Sequence, residues 1–87
     1  MMKLRQISSN CNELALAKGS ILFSYETPVA ISFDFPVSID GQDWYGIWKT
    51  EEKFSKTTTR HINSWTATVR TLPQEKLLAL ASQILRS

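Results

Sequence analysis

The single histidine, His61, is the side chain best suited to acid–base chemistry in this sequence. An imidazole changes charge near neutral pH, so it can act as a base for a neighbouring hydroxyl or bind a phosphate. Ser55 and Ser64 carry hydroxyls in the same segment. A catalytic site here would take its nucleophile, base and orienting group from one short stretch. We therefore interpret His61 as a capping or interface histidine that donates to a backbone carbonyl.

Four carboxylates and no lysine or arginine lie between residues 19 and 48. These are Glu26, Asp34, Asp40 and Asp43. They lack the spacing of a calcium-binding loop, and aspartate is common in turns for backbone reasons. One Cys and one His are too few for a structural zinc site. The sequence thus predicts no metal and no cofactor. It leaves two interpretations of the carboxylates: ordinary solvated charges, or an acidic face that meets a partner.

Residues 49–70 have the opposite charge. Lys53, Lys56 and Arg60 are spaced three and four apart, which aligns them on one side of a helix if that helix begins early. Ser55 and the threonines at 57–59 bring hydroxyls to the start of that helix, where free N–H groups attract anions. The candidate contacts for a phosphate or a nucleic acid are Lys53, Lys56, Thr57, Arg60, His61 and Arg70. The alternative is that the hydroxyls only cap the helix and the cations are solvated.

Aromatic side chains stand next to these cations. Trp44, Tyr45 and Trp48 occupy one segment, and Phe54 follows. Basic and aromatic residues together are what single-stranded nucleic acids require, but large aromatic residues also build the core of a small domain. Since the segment is bulky on both sides, an uncovered side would form an interface.

Strands position the residues of the first half. Residues 29–35 alternate between apolar and polar side chains, which is the period of a strand. Pro36 within this run indicates an edge strand or a bulge. Asp40-Gly41 favours a hairpin turn, and residues 43–49 form the returning strand. Residues 3–8, 13–18 and 21–25 complete the predicted antiparallel meander.

Helices position the second half. A short helix from about Thr57 to Thr66 would turn Ile62 and Trp65 inward, and an extended connection follows it. A last helix begins at Pro73. Its predicted core-facing residues are Leu77, Leu78, Leu80, Ala81, Ile84 and Leu85. The predicted fold class is α+β, an antiparallel four- to five-stranded meander packed against two C-terminal helices, within a single small domain of residues 1–87.

The composition excludes several classes of protein. The chain has 87 residues, of which 43% are hydrophobic and 21% charged, so it is globular rather than disordered. Its longest stretches without a charge are nine residues, which is too short for a membrane-spanning helix. No secretory signal is recognisable at the start. The lone Cys11 cannot form an internal disulfide, and we predict a location in the reducing cytoplasm.

Three segments resemble a family of small uncharacterised proteins encoded by bacteriophages, plasmids and other mobile elements. They are residues 23–30 (FSYETPVA), 53–65 (KFSKTTTRHINSW) and 72–75 (LPQE). The resemblance extends from about residue 14 to residue 80. It implies a phage or mobile-element origin and supplies no reaction. Small non-enzymatic phage proteins often inhibit host defence systems, including CRISPR systems, so the resemblance suggests this class.

Three functional hypotheses follow. The first is a non-enzymatic, anti-CRISPR-like inhibitor that occupies a surface of a host protein or ribonucleoprotein complex in the bacterial cytoplasm, with Glu26, Asp34, Asp40 and Asp43 as candidate contacts. The second is a nucleic-acid or nucleotide-binding accessory protein that uses the basic segment of residues 53–70. The third is a small enzyme centred on His61. A homodimer is compatible with each of them.

Overall fold

The computed structural model describes residues 3–86, which form a six-stranded sheet with two helices. The strands are β1 (Lys3–Ser8), β2 (Cys11–Ala15), β3 (Gly19–Ser24), β4 (Thr27–Ile39), β5 (Gln42–Thr50) and β6 (Thr71–Leu72), and the helices are α1 (Lys56–Trp65) and α2 (Gln74–Leu85). Strands β1–β5 form an antiparallel meander in chain order. The predicted α+β class and its meander are confirmed.

The turn between β4 and β5 follows from its sequence. Asp40 and Gly41 both have positive φ, 52° and 78°. This left-handed backbone suits a two-residue hairpin turn, because its twist matches that of the flanking strands. Asp tolerates the conformation and Gly adopts it freely. The hairpin predicted from Asp40-Gly41 is therefore confirmed.

Strand β4 contains a bulge at Pro36. Phe33 pairs with Gly46 and Val37 pairs with Trp44, so three residues of β4 lie opposite Tyr45 alone. Proline cannot donate to a strand ladder, and the bulge removes that requirement. The bulge predicted from this proline is therefore confirmed. The pairing of β4 with β3 ends at Phe33, so Pro36 also lies where β4 has a neighbouring strand on one side only.

Strand β6 was not predicted. Its two residues pair in parallel with β5, where Lys49 lies opposite Thr71. They fall in the stretch that the sequence indicated as an extended connection. Because β6 follows α1, only α2 is C-terminal, and the prediction of two C-terminal helices is corrected in this respect.

The helices cover opposite faces of the sheet. Ile21 and Leu22 are neighbours in β3, so their side chains point to opposite faces. Ile21 belongs to an apolar cluster with α2, which we call the α2 side. Leu22 belongs to a smaller cluster with Ile62 of α1, which we call the α1 side. The sheet is thus the middle layer of the molecule.

Helix α2 buries a narrower stripe than its sequence suggested. Four of its side chains are buried against the sheet: Leu77, Leu80, Ala81 and Ile84. Leu78 and Leu85 remain 43% and 44% exposed, so their prediction as core residues is wrong. A helix lying on one sheet covers only the side that faces it, and these two leucines lie beyond that side.

Coverage of the α2 side is uneven. Helix α2 packs mainly on β4 and β5. Strand β1, at the outer edge of the sheet, is exposed along its whole length. The α2 side of β1 and β2 is therefore open, whereas the α2 side of β4 and β5 is covered by the helix.

Candidate functional site

A buried cluster of polar side chains joins β3 to α1. Ser24 Oγ donates to Thr58 Oγ1 at 3.0 Å and lies 2.8 Å from Nδ1 of His61. Ser24 is 2% exposed and His61 is 7% exposed. A serine has one hydroxyl proton, so in this arrangement Nδ1–H of His61 donates to Ser24. Buried polar groups require partners, and these three side chains supply partners to each other.

The start of α1 explains why the hydroxyls lie here. Ser55 is the N-cap residue, with an extended backbone at φ −141°. Its Oγ accepts from the backbone N–H of Thr58 at 3.1 Å and donates to Thr58 Oγ1 at 3.2 Å. A serine in this position satisfies one of the free donors of the first helical turn. The capping role predicted for the Ser/Thr-rich segment is confirmed for Ser55.

Tyr25 covers the cluster from outside. Its ring centroid is 6.1 Å from that of His61, at an angle of 46°. Tyr25 has a φ of 60°, an unusual conformation for a bulky residue, and its N–H donates to Asn10 O at 2.6 Å. Asn10 also has a φ of 60°. The turns after β1 and after β3 are therefore linked, and together they fix the position of the Tyr25 ring.

The Ser24–His61 pair has two of the groups that a nucleophilic site uses. The sequence offered Ser55, Ser64 and nearby threonines as reactive partners for His61, and a backbone carbonyl as its structural partner. The structure instead brings the Ser24 side chain to the ring from another element, so the predicted bond to a backbone carbonyl is wrong. Ser64 instead donates to the backbone carbonyl of His61 at 2.9 Å. Within residues 3–86, Nε2 of His61 makes no hydrogen bond and no carboxylate contacts the ring. The cluster can hold α1 on the sheet, and we assign it no reaction.

The phosphate-binding candidates lie in three different surroundings. Lys56, Thr57 and Arg60 are exposed in the first two turns of α1. Lys53 is exposed in the segment before α1, so its predicted alignment with Lys56 and Arg60 on one side of a helix is wrong. His61 is buried beneath that surface and held by Ser24. Arg70 lies apart from them, beside β5. The structure thus brings the first four residues together and separates the other two from them.

Arg70 stacks on two aromatic rings. Its guanidinium carbon lies 5.3 Å from the Tyr45 ring centroid and 5.6 Å from the Trp48 ring centroid. Nη1 also donates to the backbone carbonyl of Tyr45 at 3.2 Å. Gly46 makes room for this contact, because a Cβ there would collide with the guanidinium. Trp48 completes the arrangement by donating its Nε1–H to the same carbonyl at 2.9 Å.

The acidic candidates do not form one face. Glu26 lies in the turn that precedes β4, whereas Asp40 lies in the turn that follows it. Asp34 is in the β4 bulge and Asp43 is in β5, paired with Ser38. All four are exposed. Asp40 and Asp43 share the β4–β5 end of the sheet, and Glu26 belongs to the opposite end of β4. Among residues 3–86 no group of three acidic, His or Cys side chains is placed to hold a metal ion.

Cys11 is buried on the α1 side. It pairs with Ser24 in the ladder between β2 and β3 and packs in the cluster that contains Ile62. Burial raises the pKa of its thiol, and a hydrogen bond with Ser8 partly opposes the rise. A protonated, enclosed thiol is a poor nucleophile. Cys11 therefore fills space beneath α1.

The three sequence segments that carry the family resemblance meet in space. Ser24, in the first segment, contacts His61 and Thr58 in the second. Gln74, in the third, donates from Nε2 to the carbonyl of Pro28 at 2.8 Å. Residues 23–30 thus connect to both helices. Sequence reasoning missed Ser24 and Tyr25 as partners of His61, and their place in the first segment was the available signal.

Comparison with known proteins gives a family without an assigned activity. A family of unknown function, DUF8033, matches residues 2–78. The chain belongs to this family. No curated protein and no solved structure matches it. Membership in DUF8033 agrees with the extent of the resemblance described above. Neither of the helices found within residues 3–86 has the length and apolar character needed to cross a bilayer.

Proposed function

We propose that this DUF8033 protein is a non-enzymatic binding protein that acts by occupying a surface of a macromolecular partner. The observation that carries the proposal is a groove at one end of the sheet, which is lined by the apolar side chains of Leu4, Leu14, Phe23 and Tyr25. Leu4 and Tyr25 are 66% and 49% exposed. Single exposed apolar residues are ordinary, whereas groups of them on a rigid scaffold mark interaction sites.

The more specific form of the proposal is inhibition of a host defence system by a protein of phage or mobile-element origin, in the cytoplasm of a bacterial host. The resemblance of the three sequence segments supports this origin. The partner would be a host protein or a ribonucleoprotein complex. Asp34, Asp40 and Asp43 support an acidic contact, because exposed carboxylates near the β4–β5 end can replace phosphates in a positively charged channel.

The experiment is a plating assay in bacteria that carry an active CRISPR system. Expression of the protein should restore plaques of a phage that the system targets, and co-purification should recover the protein with a component of the system. A triple charge reversal, Asp34→Lys, Asp40→Lys and Asp43→Lys, should abolish the restoration. Unchanged inhibition by this variant would remove the acidic contact from the proposal. Absence of plaques with the wild-type protein would remove the inhibitor function.

Nucleic-acid binding is the second candidate function, and the stacked Arg70 favours it. Tyr45 is about half exposed and carries the guanidinium against its ring, which is the combination that holds unpaired bases. Lys53, Lys56 and Arg60 add positive charge at the start of α1. Such binding would weaken steeply with salt, because phosphate contacts release counterions.

A gel-shift assay with single-stranded oligonucleotides tests this candidate. The double variant Lys56→Ala and Arg60→Ala should weaken binding and flatten its salt dependence. Lys3→Ala and Lys18→Ala together form the matched control, since they remove the same charge from elsewhere on the chain. No shift at low salt would exclude nucleic-acid binding, and an equal loss in both double variants would assign it to net charge.

A further inference from the structure

The α2 side of β3, β2 and β1 carries an apolar row that continues outward from the core and is open on β2 and β1. Leu4 lies opposite Leu14, and Leu14 lies opposite Ile21. Ile21 is fully buried in the cluster with α2, Leu14 is partly exposed and Leu4 is 66% exposed. Directly paired residues point to the same face, so the three side chains form one continuous surface. The hydrophobic core is thus uncovered at this edge of the sheet.

The uncovered area has the width of one helix. Neighbouring strands lie about 4.8 Å apart, so the two open strands β1 and β2 occupy roughly 10 Å of the width of the sheet. A helix with its side chains is about 10–12 Å across. Since α2 packs mainly on β4 and β5, a second helix would lie beside it over β1 and β2. Such side-by-side helices on one sheet face are a common layer arrangement.

Among the described residues that line the groove on this side, the charged one is a glutamate, Glu26. The groove beside Phe23 and Leu14 is bordered by Tyr25 and Glu26. Glu26 makes no ion pair and no hydrogen bond within the part of the chain that the structure describes. Arg5 cannot neutralise it, because Arg5 pairs with Glu13 on the α1 side at 3.3 Å. An occupant of complementary charge therefore carries a lysine or arginine.

We infer that the α2 side of β1–β3 is a docking surface for an amphipathic, basic helix of a partner protein, whose apolar side chains cover Leu4, Leu14 and Phe23 and whose cation pairs with Glu26. The inference rests on the proposed binding function and specifies the kind of partner. A helix of this type binds through apolar side chains at helical spacing, and the charge pair adds orientation and specificity.

A fluorescently labelled peptide of leucine and lysine, with leucines on one helical face, tests the inference by anisotropy. A length of about 18 residues is sufficient for a helix. A matched peptide with every lysine replaced by glutamate is the control ligand. The leucine–lysine peptide should bind roughly tenfold more tightly than the control, and Glu26→Lys should remove that preference. Glu52→Lys makes the same charge change at an exposed position after β5, outside the groove and the proposed acidic contact, and should leave the preference intact.

Leu4→Glu tests the apolar contact. This side chain is mostly exposed, so its replacement should leave the fold unchanged while weakening peptide binding by roughly tenfold or more. Equal effects of Glu26→Lys and Glu52→Lys, or full binding by Leu4→Glu, would overturn the inference. So would light scattering that shows a dimer abolished by Leu4→Glu, because a second copy of the chain would then occupy the face.

The outcomes for the groove and for the proposed function can be separated. If wild-type protein restores phage plating and the Leu4→Glu and Glu26→Lys variants do so equally, the function stands and the groove is not its docking surface. If the peptide binds as expected and plating is unchanged, the docking surface stands and the inhibitor function fails.

Discussion

The two faces of the sheet hold their helices by different means. On the α2 side, eleven buried residues form one apolar cluster, and α2 contributes Leu77, Leu80, Ala81 and Ile84. On the α1 side, the cluster has five buried residues, of which α1 contributes only Ile62. There the buried hydrogen bonds from Ser24 to Thr58 and His61 supplement the apolar contact.

This difference determines how each helix responds to change. Apolar burial is roughly proportional to area and has no direction, so α2 is held by the sum of many small contacts. Hydrogen bonds depend on distance and angle, and a buried group that loses its partner is destabilising. We therefore expect α1 to open locally when one polar contact is lost, while loss of an α2 anchor lowers the stability of the whole fold.

The largest effect is expected from Leu80→Ala. Leu80 is fully buried between α2 and the sheet, so its truncation should lower the free energy of unfolding by roughly 2–5 kcal/mol. Urea denaturation measures this change. Leu78→Ala truncates an exposed leucine of the same helix. Its free energy of unfolding should stay within about 0.5 kcal/mol of that of the wild type. Similar losses in both variants would contradict the assignment of the buried stripe.

His61→Ala should have the next largest effect. It leaves the Ser24 hydroxyl buried without the imidazole, which corresponds to roughly 1–3 kcal/mol. Cys11 reports where the molecule opens, because it lies beneath α1 and its pKa is raised by burial. At mildly alkaline pH, the Cys11 thiol should be labelled faster in His61→Ala than the lower global stability of that variant accounts for. Asn63→Ala, an exposed position of the same helix, should label at the wild-type rate.

Ser55→Ala removes the cap of α1. Because Ser55 Oγ accepts from the Thr58 N–H, its loss should lower stability by about 1 kcal/mol and increase fraying of the first turn. Amide hydrogen exchange of residues 56–59 measures the fraying. Thr57→Ala removes a hydroxyl two residues further along the chain that makes no capping hydrogen bond. This variant should leave amide hydrogen exchange unchanged. Equal protection in the two variants would mean that Ser55 does not cap α1.

Arg70→Ala should have the smallest effect on stability. The guanidinium stacks on Tyr45 and Trp48 at an exposed site, where a cation–π contact contributes about 0.5–1 kcal/mol. Tryptophan fluorescence should change as Trp48 loses this neighbour. Arg60→Ala, an exposed arginine on α1, should alter neither quantity. A fluorescence spectrum unchanged in Arg70→Ala would indicate that the stack is not maintained in solution.

Regular patterns in the sequence predicted most of the fold. The alternation of residues 29–35 identified β4, and Asp40-Gly41 identified its hairpin with β5. Strand β6 escaped prediction because two residues are too few to show a period. The inward arc of α2 was overestimated at Leu78 and Leu85, since periodicity alone does not give the width of the surface that the helix meets.

The candidate site was less predictable than the fold. Ser24 and His61 are 37 positions apart, and no spacing rule relates a strand end to the second turn of a helix. The carboxylates were placed on one face by their nearness in sequence, yet β4 separates Glu26 from Asp40. The stacking of Arg70 on Tyr45 and Trp48 depends on β6, the strand that the sequence did not reveal.

The order of strands along the chain has a consequence for synthesis. All five antiparallel strands pair with a sequence neighbour, and the last of them ends at Thr50, before α1 begins. Short-range pairings close small loops and form early, whereas the Ser24–His61 contact must bridge two separate parts of the chain. A ribosome, which delivers the N-terminal part first, would release the whole meander before either helix. The helices then pack on a sheet that is already assembled. The outer edge of β1 is exposed from the time the strand emerges and stays exposed in the complete fold.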